Sequence, residues 1–301
     1  TELALKREGQ VLGRFKPASI PALPHRVPLS VGGRFALVRP GARPPEHLPA
    51  IGCTLEAALT SLQPGQRVLF DDGHLETLAE SVEATHAVLK VTYSNKEVFG
   101  LGGEKGVNLP ETRLDLPLLG EDDERALAFA LEFADGVGAS FVKSAADVRE
   151  LHRRLDAHPG NRLGVIWKIE TGQAFEELPA ILFAALERQP MGLMIARGDL
   201  AIEAGYERLA ELQEEILWLA EAAHVSVVWA TQVLDQQART GRPSRAEVTD
   251  AAMSVRAECV MLNKGPFVAE AVEALDNILK RMEQHQYKKR SLYRRLHLKL
   301  P

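Results

Sequence analysis

Cysteine is almost missing from this chain, with two in 301 residues, Cys53 and Cys259. The pair shows no metal-ligand spacing, which argues against a cysteine-held metal and suits a reducing, cytoplasmic setting. Cys259 lies in an apolar run and reads as a core residue. Long apolar runs are missing too. No stretch of about 18 uninterrupted apolar residues occurs, and the N-terminus lacks a basic segment followed by an apolar one, so neither membrane insertion nor export is expected. Positive charge is not in excess: 36 Lys and Arg stand against 41 Asp and Glu, a net charge of −5, with an isoelectric point near 6.0. Nucleic-acid binding rests on clustered cations, so nucleic acid is not an expected partner. The one basic run, Lys288, Lys289, Arg290, Arg294 and Arg295, reads as a solvated helix end or tail.

What is present is an ordinary globular composition, 46% hydrophobic and 26% charged in 33.0 kDa, large enough for one main domain with a small insert. Residues 1–110 are punctuated by Pro17, Pro21, Pro24, Pro28, Pro40, Pro44, Pro45 and Pro49 and show little helical periodicity. Short strands and loops are expected there, among them Arg67–Phe70 running into the turn Asp71-Asp72-Gly73, and a second strand over His86–Val91. After Pro110, short apolar strands alternate with amphipathic stretches, the pattern of βα units on a parallel sheet. Five strands are predicted: Val137–Val142, Gly164–Ile169, Gly192–Ala196, Ser226–Ala230 and Cys259–Leu262. A helix is predicted over Tyr206–Ala223, with Leu209, Leu212, Ile216 and Leu219 or Ala220 on one face.

Four of these strands end in polar or glycine-containing clusters, at Lys168-Ile169-Glu170-Thr171, Arg197-Gly198-Asp199, Thr231-Gln232 and Asn263-Lys264-Gly265. In a parallel barrel the chemistry sits at these C-terminal strand ends. Lys168 and Glu170 are two residues apart, so alternation sends both side chains to one face. Taken alone, the pair reads first as a salt bridge on an exposed strand. Arg197-Gly198 suits a tight turn in which Gly198 lets backbone approach a ligand closely. Glu170 and Asp199 on neighbouring strands could hold a hard divalent cation, Mg2+ or Mn2+, through oxygen. A lysine beside that ion could stabilise negative charge on a transferred phosphoryl group or an enolate. Thr231 offers a hydroxyl for orienting a carboxylate or relaying a proton, or else caps the following helix.

Taken together, Gly164-Val-Ile-Trp-Lys-Ile-Glu-Thr171, Met194-Ile-Ala-Arg-Gly-Asp-Leu200, Ala230-Thr-Gln232, Arg242-Pro-Ser-Arg-Ala-Glu247 and Lys105-Gly-Val-Asn-Leu-Pro110 resemble the signatures of the pyruvate kinase family, in that family's order. The resemblance implies an α/β fold, a (β/α)8 TIM-type barrel of which strands 4 to 8 are recognisable, with an inserted small β-barrel lid. The expected division is a lid over 1–110, a barrel over 111–285 and a basic tail over 286–301. The implied reaction is phosphoryl transfer from phosphoenolpyruvate to ADP, giving pyruvate and ATP in the cytoplasm. Lys168 would then stabilise phosphoryl group and enolate, Glu170 and Asp199 would hold Mg2+ or Mn2+, and K+ would be a further ion. Arg197, Gly198, Asp199, Thr231 and Ser140 would face the substrate, with Thr231 also catalytic, and a homo-oligomer is allowed. Lys143, beside Ser140, matches the same cleft.

Three features depart from the family's pattern. Five strands are found where a closed barrel needs eight, so a longer chain or a complementing segment is expected. Asn263-Lys264-Gly265 stands where the family carries a Ser-Gly-Glu-Thr run that serves proton transfer. The family's C-terminal domain has no counterpart here, so regulation by a sugar phosphate is not expected. Two other functions therefore stay open: a pyruvate kinase-like binding protein with impaired catalysis, and a metal-dependent lyase acting on pyruvate-type enolates.

Overall fold

The structure, a computed structural model, describes residues 3–7, 10–15, 26–103, 105–114, 116–283, 285–287 and 290–291. The chain divides into two compact units, Thr1–Val107 and Asn108–Pro301. Pro17, Pro21, Pro24, Lys288, Lys289, Arg294 and Arg295 lie outside the described residues. Arg290 does not end a helix: the strand Arg290–Ser291 pairs antiparallel with Gln286–Tyr287.

In the first unit, Arg67–Phe70, Leu75–Val82, His86–Ser94, Arg34–Val38 and Ala50–Gly52 lie side by side in that order. The turn Asp71-Asp72-Gly73 is left-handed throughout, with φ of 52°, 55° and 75°. Asp tolerates that region better than most residues and Gly enters it freely, so the turn closes the hairpin in which Phe70 pairs with Leu75. Pro28 is accommodated in Arg26–Leu29, a strand of a two-stranded pair with Phe99–Gly102, because a proline can occupy an edge that needs no donor. Phe35 and Phe70, both buried, meet at 5.7 Å between ring centroids. One short helix, Glu56–Ser61, interrupts the strands and seats Ala58 and Leu59 in this core.

The second unit carries five parallel strands in chain order: Gly136–Ala139, Gly164–Ile169, Met191–Ala196, Ser226–Val233 and Cys259–Leu262. Along the second of these, Val165, Trp167 and Ile169 are buried in the core beneath the helices, which leaves Lys168 on the opposite face. Tyr206–Arg208 forms a 3-10 turn and the helix proper runs Leu209–Ala222, burying Leu212, Ile216 and Ala220 on the expected stripe. Between the strands and helices lies one continuous core that includes Trp167, Trp229, Leu151 and Leu193.

Two expectations need correction. The first strand ends at Ala139 rather than at Val142, because Phe141 turns left-handed (φ 52°). Cys259 is exposed rather than core, since its strand is at the edge of the sheet and no described strand covers its outer side. Among the described residues no helix is long and apolar enough to cross a membrane.

Candidate active site

Strand register sets the site. Ile169 pairs with Ile195, and Ala196 with Ala230, so Glu170 and Arg197 follow directly on the last paired residues of their strands, while Thr231 lies just past Ala230 and before pairing resumes between Val233 and Leu262. The segment Arg197-Gly198-Asp199 is not the tight turn that the sequence implied. It is the first turn of a helix, Arg197–Ala204, with Asp199 where a carboxylate meets the positive end of the helix dipole.

Lys168 Nζ lies 2.7 Å from Glu170 Oε1 and donates to Ser140 Oγ at 2.7 Å. Glu170 is 2% exposed, so the Lys-x-Glu pair is not the exposed-strand salt bridge that the residues alone allowed. The other carboxylate oxygen, Oε2, accepts the Phe141 N–H, which the left-handed turn at Phe141 directs toward it. Burial pushes the Glu170 carboxyl above its usual range; the hydrogen bonds from Lys168 and Phe141 and the Lys168 charge oppose this, while the Asp199 charge adds to it. Lys143 donates to the carbonyls of Leu114 and Leu116 at 3.0 and 3.1 Å, a structural use of its ammonium.

Thr231 does not cap the next helix. Its Oγ1 accepts the Gly198 N–H at 2.7 Å, and the helix Asp235–Thr240 has Leu234 at its N-cap. The guanidinium of Arg197 is buried and turned toward backbone: Nε donates to the Ala230 carbonyl at 2.9 Å, one terminal nitrogen to the Thr231 carbonyl, and the other pairs with Asp250. Asn263 Nδ2 donates to Asp235 Oδ1 at 2.6 Å.

Sequence reasoning missed Glu203. It is half-buried, its carboxylate accepts from Asn108 Nδ2 at 3.3 Å, and it lies one helical turn beyond Asp199. The i, i+4 spacing of the two acids on a short helix was the available signal. Burial raises the Glu203 carboxyl above the usual range, the Asn108 hydrogen bond opposes this, and the Asp199 charge reinforces it. A carboxyl raised on folding contributes stability that is complete below its unfolded pKa and lost as pH rises through its folded pKa. Glu203→Gln, which keeps an acceptor for Asn108, is therefore expected to raise the unfolding midpoint at pH 8 and to match the parent at pH 4. Thermal melts at both values check this, and a lower midpoint at pH 8 contradicts it.

Among the described residues there is no group of three or more His, Cys, Asp or Glu suited to a metal ion. Glu170 and Asp199 are two carboxylates close enough for the charge of one to act on the other, and together they could offer two oxygen donors. Hard oxygen donors in that number suit a magnesium-type ion that takes its other ligands from water and substrate. The residues fit the ion.

Residues 48–272 match the family model described as pyruvate kinase, barrel domain. The chain belongs to the pyruvate kinase family. It is 32% identical over 241 residues to a pyruvate kinase of Geobacillus stearothermophilus, a match covering 78% of this chain and 40% of that protein. With pyruvate kinase 2 of Synechocystis it shares 36% identity over 228 residues, covering 73% of this chain and 37% of the other. The crystal structure of a pyruvate kinase from Cryptosporidium parvum superposes with a TM-score of 0.73 at 27% identity, covering 86% of this chain and 53% of that one. The chain thus spans half or less of the length of these curated relatives and about half of that crystal structure.

Proposed function

We propose that this chain carries the ion- and carboxylate-binding side of a phosphotransferase site that moves the phosphoryl group of phosphoenolpyruvate to ADP. The observation that carries this reading is Lys168 held between Ser140 Oγ and Glu170, on the strand beside the one that leads to Asp199. An ammonium has three donors. Two are engaged, and among the described residues no other hydrogen bond of Lys168 is found, so the third can meet an oxygen of the transferring group.

Charge balance supports a divalent ion. Glu170 and Asp199 against Lys168 leave a negative pocket that would repel an anionic substrate, and Mg2+ or Mn2+ reverses the sign. When bound, the ion supplies charge neutralisation and a template for substrate oxygens. The protein's own part is to hold Lys168 in line and to keep Glu170 out of water. Thr231, already an acceptor from Gly198, retains its hydroxyl hydrogen for the substrate carboxylate or for a proton relay. The family's architecture accounts for the two units as a lid and part of a (β/α)8 barrel, with K+ and a homo-oligomer belonging to the same reading.

A coupled assay with phosphoenolpyruvate, ADP, Mg2+ and K+ tests the proposal. Turnover well above a Lys168→Ala background is expected, and turnover equal to that background sinks it. Binding of phosphoenolpyruvate without turnover would instead mark a binding protein, and proton exchange at the pyruvate methyl without nucleotide a lyase-type site.

A further inference from the structure

Thr231 holds a backbone conformation that a β-branched residue seldom adopts. Its φ is 67°, Gln232 follows at 56° and Leu234 at 48°, and pairing with the Cys259–Leu262 strand shifts register between Trp229 and Val233. Left-handed backbone at a branched residue is strained and persists only where surrounding contacts over-determine it. The contacts that do so here converge on one side chain. Arg197, 8% exposed, bonds the carbonyls of Ala230 and Thr231, one on each side of the strained residue, and its guanidinium carbon lies 4.7 Å over the Trp229 ring.

A guanidinium so buried needs a counter-charge, and Asp250 supplies it. Asp250 is itself held in place. It lies on the helix Arg245–Met253, whose first turn is fixed by the reciprocal bonds of Ser244 and Glu247, while Glu247 also accepts the Gln236 N–H. The helix is therefore tied at two points, to Arg197 and to Gln236 just beyond the Thr231 strand.

We infer that Asp250 is a positioning residue for this site: through Arg197 it holds the left-handed turn that keeps Thr231 Oγ1 on the Gly198 N–H. This assignment rests on the phosphotransferase reading only for its consequence in catalysis; the local geometry stands apart from it. Arg197 accordingly acts on Thr231 and does not itself face the substrate.

The test compares the protein with Asp250→Asn and Asp250→Glu. Removing the charge is expected to speed hydrogen exchange at the Gly198 amide about tenfold or more relative to the amides of Met191–Ala196, and Asp250→Glu recovers most of the protection. In turnover, Asp250→Asn raises KM for phosphoenolpyruvate about tenfold while the Mn2+ midpoint stays put, as displacement of one substrate-facing hydroxyl predicts. A uniform rise in exchange at all these amides, or unchanged exchange at Gly198, overturns the inference. If Asp250→Asn does not fold, Asp250→Glu is read against Asp250→Gln, and equal Gly198 exchange in the two overturns it. A parent protein without turnover defeats the functional proposal alone, because the exchange measurement still decides this one.

Discussion

Lys168→Met is expected to lower phosphoryl transfer by about 10³-fold while leaving Mn2+ binding intact or slightly tighter. The magnitude follows from removing one preorganised charge aimed at developing negative charge. The direction of the metal effect follows from the neighbours. Lys168 Nζ sits 2.7 Å from Glu170, so the ammonium and a metal ion compete electrostatically for the same carboxylate. Without it, Glu170 retains the Phe141 N–H and the repulsion of Asp199, and a dication becomes its main compensation. In the metal-free variant the loss of Lys168 pushes the Glu170 carboxyl further up, since burial already raises it and two opposing influences disappear. Steady-state assays paired with a Mn2+ titration decide the matter. Activity within tenfold of the parent, or loss of Mn2+ binding, is incompatible with a lysine that stabilises the transferred group without building the metal site.

How much of this could be read from residues alone varies with the range of the interaction. The five strands of the second unit were legible because apolar runs of that length, bounded by polar clusters, leave few alternatives. The shared face of Lys168 and Glu170 was legible for a local reason, the two-residue alternation of a strand. Arg197 was not. Its partners are the carbonyls of Ala230 and Thr231 and the carboxylate of Asp250, more than thirty positions further on, and nothing in the local sequence separates a guanidinium facing a ligand from one facing backbone. Asp250 and Glu203 were not singled out, because their partners, Arg197 and Asn108, are likewise distant in sequence. Cys259 misled in the opposite way: an apolar run signals burial only when both sides of the strand are covered. In the first unit the Asp71-Asp72-Gly73 turn was readable from turn chemistry, whereas the partners of most strands there depend on long-range pairing.

The segment Asn263-Lys264-Gly265 looked like a departure in chemistry, and its strongest constraint is one of space. A Cβ at Gly265 would stand 2.1 Å from the Ala238 carbonyl oxygen, 2.5 Å from its carbon and 3.1 Å from Arg239 N. All three are backbone atoms, and that carbonyl also accepts the Phe267 N–H at 2.9 Å, so it cannot withdraw without giving up a bond that enters the helix Val268–Met282. Gly265→Ala is therefore expected to destabilise the protein by about 3 kcal/mol or more, the upper end of overpacking costs. Gly198→Ala provides the contrast: its Cβ would meet Thr231 Oγ1 at 3.5 Å, ordinary contact, so its unfolding midpoint should stay near the parent's. Urea unfolding of both variants checks the pair, and a Gly265→Ala protein as stable as Gly198→Ala would refute the close approach. The comparison also bears on function. Asn263, bonded to Asp235, and Gly265, pressed against Ala238, fix the path of the loop that follows the last strand. The position of Lys264 is thereby set by packing on both sides, and a change in its chemistry can be tested without moving the loop.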